Sequence, residues 1–223
     1  MITLIGTCHV LDSKNHISDL IVKSQPHAVC VELDEKRYNR LMGYCSPSPS
    51  RSALFLVALL QERMATRYGV KAGNDMMGGV EGARLTGAHL FLIDQDVDDI
   101  LARVSKSLLQ DFLTPHETFK KLRAFIGFSI ENIISPSSTT DWIETLLEDF
   151  QQDPKKYQRE FGEVFPLLKE VIFDWREQNM AAGIRMLAAN YQEIAAVVGF
   201  GHLVGLRELL TGLEVNCVPL LTP

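Results

Sequence analysis

Three absences bound this chain before any motif is considered. Its four cysteines, Cys8, Cys30, Cys45 and Cys217, show no Cys-x-x-Cys spacing. Cys30 and Cys217 lie inside apolar runs, where a thiol behaves as a small hydrophobe, so nothing points to an oxidising compartment. No basic block interrupts a composition that sums to a formal charge of −6, which argues against a nucleic-acid or anionic-membrane partner. The longest apolar run, Ala53–Leu60, has eight residues, far short of the roughly 20 that span a bilayer. Met1 leads straight into an apolar strand with no basic or hydrophobic leader region, so a soluble, cytoplasmic or otherwise intracellular chain is expected. There is no internal repeat and no low-complexity tail. What remains is ordinary globular composition, 46% hydrophobic over 223 residues, enough for a single domain over 1–223 that folds without disulfides or structural metal.

The pattern along the chain alternates. Strands are expected at 2–8, 28–33, 89–93, 194–199 and 213–218. Helices are expected at 14–24, from Glu35, at 51–67, at 74–87 and from Val97 to about Ser107. Ala28–Val31 and His89–Ile93 are continuous apolar runs, as in strands covered on both faces. From about 108 to 190 no strand pattern occurs, and helices are expected at 116–126, 139–151, 154–161 and 163–189. The expected fold class is therefore α/β, a mostly parallel or mixed central sheet flanked by helices, with a large helical insertion or lid between about 108 and 190.

Chemistry-bearing residues gather at the strand ends. Two Gly-x-x-His tetrads, Gly6-Thr7-Cys8-His9 and Gly199-Phe200-Gly201-His202, each follow an apolar run. Ligands in open α/β sheets bind outside the carboxyl ends of the strands, so the two imidazoles are expected at one crevice. Strand two ends in Glu32-Leu33-Asp34 and strand three in Asp94-Gln95-Asp96. Imidazole with carboxylate suits a divalent ion such as manganese, cobalt or zinc. Gly6 and Gly199 stand where the chain is expected to turn, and Gly201 where backbone approaches a ligand. With Thr7 these are candidate substrate contacts. The residues from Gly201 also open a helix through about Leu210, whose free N–H groups suit an oxyanion.

Arg176 falls in an apolar stripe of Ile172, Phe173, Met180, Gly183, Ile184 and Leu187. A buried guanidinium needs an anionic partner, either a site carboxylate or a substrate carboxylate. The plainer alternatives are that Arg176 pairs with Asp174 or Glu177, that Asp12, Asp34 and Asp96 are helix caps, and that Cys8 packs in the core. His16, His27, His89 and His116 read as structural or exposed. The helix at 51–67 is apolar all round, so it either crosses the domain centre or meets a second subunit in a homodimer.

These motifs resemble those of the TraB family (TraB/PrgY, related to the Tiki proteases). The resemblance is carried by Ile5-Gly6-Thr7-Cys8-His9-Val10, by Val29-Cys30-Val31-Glu32-Leu33-Asp34 with Arg37 and Leu41, by Gly73-Asn74-Asp75-Met76 with Glu81 and Ala83, and by Leu92-Ile93-Asp94-Gln95-Asp96 with Arg103. Arg176-Glu177 with Met180-Ala181, and Val198-Gly199-Phe200-Gly201-His202, complete it. The chain departs from the family pattern at Asp75, where glutamate is usual, and at Gln95, where arginine is usual. The resemblance implies a fold shared with erythromycin-esterase-like and ChaN-like proteins and a metal-dependent peptidase activity. His9, His202 and Glu32 would be metal ligands, Glu32 or Asp94 the general base, and Arg176 a supporting catalytic residue. The implied partner is a peptide or small-molecule substrate. A non-catalytic module that binds a small anion or peptide at the same edge is the alternative.

Overall fold

A computed structural model describes residues 1–7, 13–44, 73–113, 153 and 155–220. Five strands, β1 (Ile2–Thr7), β2 (Ala28–Val31), β3 (His89–Leu92), β4 (Ile194–Gly199) and β5 (Val215–Leu220), form one sheet in the order β3-β2-β4-β1-β5. Every pairing is parallel, so the sheet is not mixed. The last strand sits two residues later than its sequence pattern suggests. Central strands β2 and β4 are buried along their whole length, as a strand covered on both faces must be. Strand β3 is an edge, and its side chains stay half-exposed, against the expectation drawn from its apolar run. Cys30 in β2 has no solvent contact, and burial pushes its thiol up to about 12.

One face of the sheet carries α1 (Lys14–Ser24) and α3 (Asn74–Thr86). Ile17 and Ile21 of α1 join Val29, Val31 and Val197 in the core on this side. The two helices pack closely because a Cβ at Gly78 would stand 2.5 Å from the Lys14 carbonyl oxygen. Between β2 and α3 runs the short α2 (Glu35–Leu41), capped by Asp34, whose carboxylate accepts from the Arg37 backbone N–H at 3.1 Å. Helix α4 (Val97–Leu113) follows β3 and runs about two turns beyond Ser107.

All secondary structure described between β3 and β4 is helical. The helix expected over 163–189 is broken by its own sequence. Helix α5 (Lys156–Val164) ends before Pro166, which opens α6 (Pro166–Lys169) at a position where a missing N–H costs nothing. A π-helical turn, Glu170–Trp175, leads into α7 (Arg176–Ala188). The opposite face of the sheet is built on Met180, Ile184 and Leu187 of α7 with Leu203, Leu206 and Leu210. The helices expected at 51–67, 116–126 and 139–151 lie outside the described residues, as do His9, Cys8, Asp12 and His116. Among the described residues no helix is long and apolar enough to cross a membrane.

Candidate functional site

Parallel register sets the site. Val31 is level with Leu92 on one side and with Val197 on the other, so the next residue, Glu32, lies between the ends of β3 and β4. Its Oε2 accepts from the Gly199 backbone N–H at 2.6 Å. Arg176 reaches in from the first turn of α7. Its Nε and Nη2 donate to both oxygens of Asp94, at 3.0 and 2.5 Å, and Nη2 also donates to Glu32 Oε1. Burial works against its charge, but the Glu32 and Asp94 carboxylates outweigh that and hold the guanidinium above its ordinary pKa. Asp174 belongs instead to Lys169, at 2.5 Å, and Glu177 to His202. The pairing alternatives for Arg176 within its own helix are therefore wrong: helix neighbours point away once the stripe faces the sheet.

Arg37 closes the other side. Its Nη2 meets Asp94 Oδ2 at 2.5 Å and its Nε meets Asp34 at 2.7 Å. Burial again opposes the charge, and Asp94 with Asp34 raises the pKa above the ordinary guanidinium value. Asp34 also accepts from the Val97 backbone N–H at 2.8 Å. Its own desolvation is outweighed by the Arg37 contacts, which hold the carboxyl below its usual value. Asp96 accepts from the Asp98 N–H at 2.8 Å and pairs with Lys36 at the surface. A cleft of about 570 Å³, lined among the described residues by Asp34, Tyr38, Leu92, Asp94 and Asp96, borders this side.

His202 stands in the short helical turn after β4 and is 4% exposed. Its Nδ1 lies 3.0 Å from Glu177 Oε1, and its Nε2 lies 3.3 Å from Arg176 Nη1 and 3.6 Å from Glu32 Oε1. A carboxylate only accepts and a guanidinium only donates. The two closer contacts therefore assign the same neutral tautomer, Nδ1–H with a lone pair on Nε2, while 3.6 Å is too long to be a hydrogen bond. Phe173, from the π-helical turn, packs against the imidazole with ring centroids 5.5 Å apart.

Glu32 and His202 are of the residue types that could hold a divalent ion. Two donors at about 2.1 Å from one tetrahedral ion stand roughly 3.4 Å apart, close to the separation of Glu32 Oε1 from His202 Nε2. The Arg176 guanidinium donates to both of these atoms, so it occupies the lone pairs that such an ion would use, and an ion would bind there only with the guanidinium moved aside. His9 lies outside the described residues, and among the described ones no three His, Cys, Asp or Glu side chains are placed so that they could hold a metal ion together.

The expected substrate contacts are mostly engaged internally. Gly6 lies within β1, not at a turn. A Cβ there would stand 2.3 Å from Leu203 Cδ1, so the glycine admits a core leucine. Thr7 is buried and its hydroxyl donates to Asp75 at 2.5 Å, tying β1 to α3. Gly199 holds Glu32 through its N–H. Gly201 is exposed, and its carbonyl accepts from Gln158 Nε2 at 2.7 Å. The helix after His202, α8 (Leu203–Leu209), starts two residues later than the sequence implies, because Phe200–His202 form a 3₁₀ turn. Arg103 stacks 4.3 Å over the Trp175 ring.

The model of the TraB/PrgY/gumN family matches residues 99–216, just over half of the chain. The chain belongs to the TraB/PrgY/gumN family. The matched span holds Arg176, Glu177, Gly199 and His202, and the earlier part of the chain supplies Glu32 and Asp94. An uncharacterized protein of Methanocaldococcus jannaschii is 29% identical over 226 residues, covering 96% of this chain and 54% of that protein. The chain thus spans about half the length of that curated relative.

Two site residues escape the sequence reading. Glu177 is 3% exposed. A signal for it exists: Met180, Ala181 and Ile184 follow at i+3, i+4 and i+7, which puts Glu177 on the buried stripe. Gln158 donates to Glu177 Oε1 at 2.8 Å. Nothing in its local sequence marks it, because its partners are brought to it only by the fold.

Proposed function

We propose that this member of the TraB/PrgY/gumN family is a divalent-metal-dependent hydrolase acting on peptides. The observation that carries the reading is the presentation of His202 Nε2, backed at Nδ1 by a buried carboxylate, towards Glu32 at the carboxyl edge of the sheet. A carboxylate behind a histidine is the usual support of a metal-binding imidazole. Glu32 and His202 would hold the ion, with His9 as a third ligand. Manganese, cobalt or zinc in such a site lowers the pKa of bound water and polarises a carbonyl.

The roles of the side chains follow from their bonds. Asp94 is fully committed, with its side chain closed to solvent and two guanidiniums bonded to it; it orients Arg176 and is not the base. Glu32 keeps Oε2 on the Gly199 N–H and turns Oε1 towards Arg176 and His202, which suits it to hold the ion rather than to take up the proton of the attacking water. Both N–H groups of Arg176 Nη2 serve Glu32 and Asp94, so a carboxylate or a developing oxyanion of the substrate would be held through the second N–H of Nη1, with Asp94 and Arg37 keeping the guanidinium plane fixed.

A second reading also has an observation behind it. Arg176 already bridges Glu32 and His202, and such a self-satisfied network suits a module that binds an anionic ligand or peptide without consuming it. Metal analysis of protein prepared without chelator, alongside His9→Ala, His202→Ala and Glu32→Gln, tests the hydrolase. Stoichiometric metal lost in the variants, with turnover of peptide, amide or ester substrates restored by added ion, is the expected result. Absence of metal binding under any divalent-ion supply overturns it. Stable ligand binding without turnover assigns the chain to the second reading.

A further inference from the structure

The geometry points to Glu177 as the positioning residue of the site, with Gln158 and Gly205 as its brace. This rests on the reading that His202 acts through Nε2. Glu177 touches neither Glu32 nor Asp94 among its described hydrogen bonds; it acts only through the imidazole. Its Oε1 receives both His202 Nδ1, at 3.0 Å, and Gln158 Nε2, at 2.8 Å. Gln158 spends its second N–H on the Gly201 carbonyl, at 2.7 Å, one residue before His202. The amide therefore ties the carboxylate and the histidine's own backbone together as one unit.

Gly205 completes the brace from below. A Cβ there would stand 1.7 Å from Glu177 Oε2 and 2.4 Å from its Cδ. The carboxylate thus fills the space that a side chain on α8 would take, so only a glycine there admits it in this position. The π-helical turn belongs to the same device. An extra residue in the turn before Arg176 rotates the helix face by about 100°. After that turn Arg176 meets the carboxylates of β2 and β3, while the adjacent Glu177 meets His202. Adjacent residues on a helix diverge by that same angle, so one turn of α7 serves both sides of the site.

A buried carboxylate opposite Nδ1 makes Nδ1–H the stable tautomer, because the alternative places a lone pair against an anion. That leaves Nε2 as an acceptor facing Glu32 and Arg176. A role confined to stability would not require a particular tautomer, and that difference supplies the test.

The test is nitrogen-15 NMR of the histidine rings in the full chain above the imidazole titration range, with His202 assigned by comparison with His202→Gln. The wild type is expected to show Nδ1 protonated and Nε2 bare. Glu177→Met keeps the volume and removes the acceptor; Gly205→Ala keeps both residues of the dyad and displaces the carboxylate. Arg176 Nη1 holds the same tautomer from the Nε2 side, so the tautomer is read with each variant in an Arg176→Met background, where it is expected to move the His202 proton towards Nε2 or to average the two nitrogens. With Arg176 in place each variant is expected to weaken zinc binding by about 10–100-fold. Gly205→Ala also replaces a poor helix former in α8 with a good one, so it keeps the test available should Glu177→Met fail to fold. An unchanged His202 tautomer when folded Gly205→Ala or Glu177→Met is combined with Arg176→Met overturns the inference. Wild-type protein that binds no zinc, yet shows the tautomer change in the variants, overturns the hydrolase reading and leaves the positioning role intact.

Discussion

Replacing Arg176 with methionine is the most direct probe of the charge cluster. Methionine follows much of the arginine stem and suits the apolar stripe beside Met180 and Ile184, so packing changes little. What is lost is electrostatic: two hydrogen bonds to Asp94, one to Glu32 and the contact with His202 Nε2. The pair partners are nearly sealed, with side-chain exposures of 12% for Arg176, 5% for Glu32 and 0% for Asp94. Removing one partner of a buried pair costs about 3–5 kcal/mol, whereas an exposed pair contributes no more than about 1 kcal/mol. Arg37 still serves Asp94, which places the expected loss towards the lower end. Against a typical total stability of about 5–15 kcal/mol, the variant should fold but unfold at a clearly lower denaturant concentration with an unchanged slope. Arg176→Lys should recover only part of the loss, since one ammonium cannot span both carboxylates in the fork geometry. A loss under about 0.5 kcal/mol, measured by urea titration at neutral pH, would refute the whole account of the cluster.

Gly6→Ala drives a methyl into Leu203 and should cost about 1–3 kcal/mol. Pairing it with Leu203→Ala should give a double variant less destabilised than the sum of the two, and strict additivity in denaturation would dismiss the contact. Asp34→Asn retains an oxygen that accepts from the Arg37 N–H, so the cap survives while the ion pair goes. Because the folded carboxyl is held below its unfolded value of 3.8, its stabilisation is present above that pH and is lost as pH falls through the folded value. Wild type should therefore exceed the variant at neutral pH and converge with it in acid; a difference constant with pH would contradict the Asp34–Arg37 assignment.

The alternation of apolar runs with helical periods was enough to identify an α/β chain, to place most strand and helix starts within two residues, and to put Glu32, Asp94 and His202 at strand ends. Those are local properties, fixed by side-chain period and by the polar residues that must follow a buried run. The need of Arg176 for a carboxylate was equally legible, since an arginine inside an apolar stripe carries its own demand. Which carboxylate answers it was not. Glu32 lies 144 residues away in the chain and Asp94 lies 82 away, and only the order β3-β2-β4 makes them neighbours. The same holds for Gly6, which looks like a turn residue until Leu203 is packed against it, and for Gln158, whose two partners come from α7 and from the end of β4. The π-helical turn belongs here too: the pattern of residues 163–189 reads as one helix, while Val171 in the turn is buried against Val104 of α4 and Leu168 of α6, partners that only the fold brings to it. Periodicity acts over a few residues, where neighbours alone set the energy. Partner choice among buried charges is decided by desolvation and register across the whole fold, and no short stretch of sequence contains either.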